Sequence, residues 1–116
     1  MKVFVYFNLH KKCWSVKALE GQRKGLVIGH TNELGLENAT FKVSQAGRQR
    51  VLVEKRKNVH AGVVGTITEC WRNRESCTIP VSYNPYKAGH FYNKMTDQAV
   101  HQASKVWLIN RTVFTS

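Results

Sequence analysis

Two histidines, His60 and His90, bracket the most strongly patterned stretch of the chain: NVHAGVVGTITEC, a short polar gap, then CTIPVSYNPYKAGHFY. Imidazole titrates near neutrality, so one ring can take a proton while another gives one. Cleavage of RNA through its own 2′-hydroxyl needs such a pair, a base for that hydroxyl and an acid for the departing 5′-oxygen. A nearby cation must meet the charge that develops on the phosphoryl oxygens. Lys87, Arg56 and Tyr86 are the nearest groups in sequence for that task. The catalytic set expected on this reading is His60, His90, Lys87 and Arg56. The plainer reading makes both histidines ordinary, partly buried residues.

A second set is electrostatic. Arg48, Arg50, Lys55, Arg56 and Lys57 crowd into GRQRVLVEKRK, interrupted by Glu54. The run reads either as a surface that tracks phosphates or as a solvated helix face. Aromatic rings supply a third set: Trp14, Trp71, Tyr86, Phe91, Tyr92 and Trp107. Exposed rings beside cations stack on unpaired bases, whereas most rings in a chain this small belong to its core. Trp71 and Tyr86 sit among polar neighbours and are the favoured stackers. The expected nucleic-acid-binding set is thus Arg48, Arg50, Lys55, Arg56, Lys57, Trp71, Tyr86 and Tyr92.

Metal and cofactor chemistry finds little footing. Cys70 and Cys77 stand in a C-x6-C spacing, wider than a zinc knuckle uses, and Cys13 is the remaining cysteine. Carboxylates are scattered, which disfavours a magnesium nuclease site. The sequence has no P-loop, GxGxxG, HExxH or GxSxG motif. No metal site and no cofactor are expected.

The elements that must position these groups follow from patterning. In KVFVYFNL, Val3, Val5, Phe7 and Leu9 share one face and Phe4 and Tyr6 the other, so residues 2–9 form a strand with two apolar faces. Residues 13–19 and 26–31 read as further strands, separated by the glycine-bounded turn EGQRKG. Residues 32–38 read as a loop or edge segment. Ser44 is a candidate N-cap for a helix over 44–57, which Gly47 weakens by about 1 kcal/mol relative to alanine. Residues 59–68 and 77–83 are strands, and KVWLI and TVFTS form a hairpin around Asn110-Arg111. An antiparallel pairing of 58–69 with 77–92 would carry His60 and His90 to one end of the sheet. The total is about seven or eight short strands and one helix, which predicts an α+β fold with a mainly antiparallel sheet. An all-β barrel with a helical lid is the alternative.

Composition bounds the partners. The 116 residues suit a single domain of 1–116, and 42% hydrophobic with 22% charged residues suits a folded one. Eighteen basic against seven acidic residues leave a formal charge of +11. Such an imbalance speaks to partners and not to fold. Nucleic acid, as RNA or single-stranded DNA, is the first candidate; an acidic host protein is the second. No run reaches the length of a membrane span, and the N-terminal stretch alternates as a strand does, so no membrane partner is expected. The odd cysteine count points to a reducing compartment, the cytoplasm.

At VHAGVVG, SYNPYKAGHFY and KVWLINRTVF the chain resembles small basic proteins encoded by bacteriophages. That resemblance implies the host cytoplasm as its location. In architecture and residue types it also resembles, more loosely, metal-independent ribonucleases of the barnase, EndoU and colicin type. Those join an antiparallel sheet to a helix and use His, Lys, Arg and Tyr in place of metal. Three readings remain open: a nucleic-acid-binding protein preferring RNA or single strands, a metal-independent ribonuclease using His60 and His90, and an inhibitor or adaptor that binds an acidic host protein.

Overall fold

Alternating residues build most of this protein, and they build it as one sheet. The structure, a computed structural model, describes residues 1–68 and 75–116. In chain order the elements are β1 (Lys2–Asn8), β2 (Cys13–Ala18), β3 (Val27–Thr31), β4 (Glu33–Val43), α1 (Gln45–Glu54), β5 (Ala61–Thr68), β6 (Ile79–Ser82), β7 (Tyr92–Asn93), β8 (Gln102–Ile109) and β9 (Thr112–Thr115). The nine strands form a single sheet in the order β3-β2-β1-β5-β4-β8-β9-β6-β7. Every pairing in it is antiparallel. The α+β expectation holds. The barrel alternative does not, because β3 and β7 remain as separate edges.

Period-two alternation assigns the faces. Val3 and Val5 of β1, Val16 of β2, Phe41 of β4 and Val63 of β5 are buried in one cluster with Val106, Leu108 and Val113 of the C-terminal hairpin and Val81 of β6. Strands from both ends of the sheet meet in this cluster, so the sheet curls with that face inward. Fully burying such side chains contributes roughly 1.5–3 kcal/mol each. The opposite face of β1 and its neighbours, bearing Phe4, Tyr6, Lys17 and Lys42, stays open.

Three expectations are corrected. Residues 32–38 are not a loop; most of them belong to β4, the longest strand, which pairs with both β5 and β8. Its turn-forming residues have other duties. Gly35 lies under the Trp107 ring, where an added methyl carbon would sit 2.8 Å from Cζ3. Asn38 takes a left-handed φ of 50° where the pairing with β5 slips between Glu37 and Thr40. The helix is shorter than 44–57: Lys55 adopts φ 55° and ψ 32° and closes it with a bond from its N–H to Val51 O. Ser44 does cap the helix, accepting from Gly47 N. Finally, 58–69 does not pair with 77–92. β5 lies between β1 and β4, while β6 lies between β9 and β7.

Candidate nucleic-acid interface

The open face carries a groove of about 590 Å³. Phe4 and Tyr6, two residues apart on β1, supply rings with centroids 5.9 Å apart and planes inclined by 31°. Phe4 leans over Gly62 of β5, where a methyl carbon would come within 2.6 Å of its ring. The missing side chain at position 62 lets the ring lie on the sheet. Lys17, the cross-strand partner of Phe4 on β2, and Lys42 on β4 flank the rings. No carboxylate lines the groove among the described residues.

Each wall continues into a basic segment. Gly25 and Val27 form one side, directly after Arg23 and Lys24 in the turn between β2 and β3. That turn needs left-handed backbone at Gly21 and Gly25, with φ of 81° and 87°. Val59 and His60 form the other side, one residue after Lys55, Arg56 and Lys57. At no more than about 3.6 Å per residue, the Lys57 backbone lies within roughly 7 Å of Val59. All five of these side-wall cations are exposed. Between described residues the ion pairs are Lys87 with Asp97 and the N-terminal ammonium with Glu20, so these five form none there.

His60 is fixed from both ends. Its Nδ1 lies 3.1 Å from Asn58 O and 3.0 Å from Asn58 Oδ1. The Asn58 amide nitrogen donates to Gly47 O, which orients Oδ1 toward the ring. Both Nδ1 neighbours are acceptors, so Nδ1 carries the proton in the neutral ring. Nε2 then accepts from the Tyr83 hydroxyl at 2.7 Å. Burial first, and against it the Arg48 guanidinium, acts on Tyr83, and its phenol is pushed above the ordinary range. With both nitrogens engaged, His60 must break the Tyr83 bond before it can exchange a proton with a substrate.

The other expected residues scatter. His90 faces His101, ring centroids 6.0 Å apart, while His60 packs on Tyr83 at 5.4 Å. Lys87 donates to Asp97 at 2.7 Å and covers the Tyr92 ring at 4.4 Å from its centroid. Tyr92 is buried and offers no free ring face, whereas Tyr86 is 64% exposed. Arg48 is tied by Nε to Pro85 O, and Gln45 by Nε2 to Gly89 O; both bonds dock α1 on the 84–90 segment. Arg50 is exposed on α1. Trp71 and Cys70 lie outside the described residues. Of the expected residues, His60 alone lines the groove, with Lys55, Arg56 and Lys57 close by in the chain; His90, Lys87 and Tyr92 lie elsewhere.

Phe4, Tyr6, Lys17, Lys42, Arg23 and Lys24 were not among the expected site residues. A signal for them existed. Lys17 and Lys42 each stand between two apolar residues near the end of a strand, and Phe4 and Tyr6 share the face opposite Val3 and Val5. Two apolar faces suggest a strand buried on both sides, but lysines on neighbouring strands directed to the side of Phe4 and Tyr6 mark that side as solvated.

Sheet, cap and groove define a small, strongly basic protein with an open cationic and aromatic face. The chain belongs to the family described as Mycobacterium phage L5 gene 82 protein, whose model matches residues 1–116. It is 39% identical over 114 residues to the Gene 82 protein of Mycobacterium phage L5, covering 93% of this chain and 90% of that one. The resemblance to small phage-encoded proteins is thereby borne out. No solved structure matches the chain. Among the described residues no helix is long and apolar enough to cross a membrane.

Proposed function

We propose that this phage protein binds nucleic acid through the groove over β1. The observation that carries the reading is the coincidence of two half-buried rings, Phe4 and Tyr6, with Lys17 and Lys42 in one groove that basic segments adjoin in the chain, without a lining carboxylate among the described residues. Phosphates are the polyanions such a surface meets most often, and each lysine placed against one releases a counterion. Binding is favoured over RNA cleavage because His60 has both ring nitrogens engaged and His90 neighbours a different histidine. The test is a titration of labelled RNA and DNA oligonucleotides at low salt, repeated as salt rises. Log affinity should fall linearly with log salt. Replacing Lys17 and Lys42 together by alanine should flatten that slope by about 1.4 to 1.8, at roughly 0.7–0.9 per phosphate contact. A wild type that binds neither RNA nor DNA at low salt rules the reading out.

A further inference from the structure

We infer that the groove takes an unpaired strand in which two successive bases are splayed apart, one on Phe4 and one on Tyr6. This rests on the nucleic-acid reading above and specifies what is bound. Three observations carry it. The rings lie on the floor of the groove, on the sheet itself, and are reached between two walls. Bases in a duplex are stacked inside it and show only their edges, so no paired base can lay its face on either ring. The ring spacing is the second observation. Centroids 5.9 Å apart exceed the roughly 3.4 Å between stacked bases, the axial step of a nucleic-acid strand. Neighbouring bases must therefore unstack, each meeting its own ring, as residues i and i+2 of a strand permit. The third is the placing of charge. Lys17 pairs across the strands with Phe4, and Lys42 stands opposite Gly62, over which the Phe4 ring leans. Both cations thus sit beside the rings, where the phosphates of a splayed step must run.

The shared ligand chemistry is an unpaired base with its phosphate, from RNA or from DNA. Anisotropy titrations would use dye-labelled oligo(U), oligo(dT) and blunt duplexes of equal length. Single strands should bind at least tenfold more tightly than duplexes. Phe4→Leu and Tyr6→Leu, which keep an apolar side chain on the sheet, should each weaken single-strand binding by roughly 5- to 150-fold, the equivalent of about 1–3 kcal/mol per stacked base. Their salt slopes and duplex affinities should not change. Tighter binding of oligo(U) than of oligo(dU), which differ only in the 2′-hydroxyl, would identify RNA as the strand served, and the reverse DNA. A second measurement uses the wild type alone. Strands carrying 5-iodouracil, irradiated in the complex and mapped by mass spectrometry, should crosslink at Phe4 or Tyr6. Duplex binding as tight as single-strand binding, or crosslinks confined to other residues, overturns the inference and leaves general nucleic-acid binding in place. Failure to bind any of the probes overturns both.

Discussion

His60 and Tyr83, 23 positions apart, are joined by a 2.7 Å hydrogen bond from the phenol to Nε2. It ties the groove wall at the start of β5 to the segment that follows β6, two strands that never pair. The ring of Tyr83 continues the tie into the core through Phe91, at 5.2 Å, and Phe41 beyond it. Tyr83→Phe keeps that stacking and deletes only the hydroxyl. It should lower stability by about 1 kcal/mol, read from urea unfolding. It should also free Nε2 of His60, whose nitrogen chemical shift should move; an unchanged shift would mean that the bond does not form in solution.

Gly47 should resist the substitution that helix propensity recommends. Alanine in a helix is worth about 1 kcal/mol over glycine. Here its methyl would collide with Cβ of His60. Overpacking at such a contact costs typically 1–3 kcal/mol. Gly47→Ala should therefore destabilise the protein, while Ala46, exposed one residue earlier, should tolerate replacement. Thermal melts of the two variants decide between propensity and packing.

Stability should decline in alkali. Burial lifts the Cys77 thiol above its ordinary 9.0, against a hydrogen bond from Ser76 and the charge of Lys105. Burial likewise lifts Tyr83 above 10.0, and the hydrogen bond to Asp97 lifts Lys87 above 10.5. Each group holds its proton more tightly folded than unfolded. Above the ordinary values the folded state binds more protons, so stability is full below about pH 9 and is lost as pH rises through the lifted values. Denaturant midpoints measured from pH 7 to 11 should fall, and Cys77→Ala should move the onset toward pH 10.

The two groove walls should contribute alike to binding. Arg23→Ala with Lys24→Ala removes one wall's charge, and Arg56→Ala with Lys57→Ala the other's. Each pair should cut the salt slope by about 1.4 to 1.8 if both side chains meet phosphates. A large effect from 56 and 57 with none from 23 and 24 would confine the path of the strand to the helix side.

Local chemistry made much of this architecture readable. The strand at 2–9 alternates in sequence, the turn at Asn110-Arg111 marks the C-terminal hairpin, and Ser44 caps the helix as its hydroxyl suggests. Where reading failed, a tertiary contact had changed a residue's meaning. Gly35 and Asn38 look like turn formers, yet one makes room for Trp107 and the other sits at the register slip. Gly47 looks like a helix defect and is a seat for His60. The groove was hidden for a related reason: it is assembled from β1, β2, the start of β3, β4 and the segment before β5, and nothing local in any of them states that the others are adjacent. The basic run 48–57 was legible as charge, but the helix ends at Glu54, and the groove lining resumes only at Val59 and His60, beyond the run.

The strand order has a consequence for how the chain reaches this state. Glu33 of β4 pairs with Ile109 of β8, so one flank of the longest strand waits for a partner about 70 residues downstream, a loop whose closure slows folding. β6 and β7 precede β9 in the chain, yet within the sheet they attach only through it. Their place in the sheet therefore depends on the hairpin of β8 and β9. An unanchored hairpin would leave the flank of β4 open as a template for another chain's strand. The two-residue turn at Asn110-Arg111, where Asn110 adopts φ 53°, thus builds the edge on which β6 pairs.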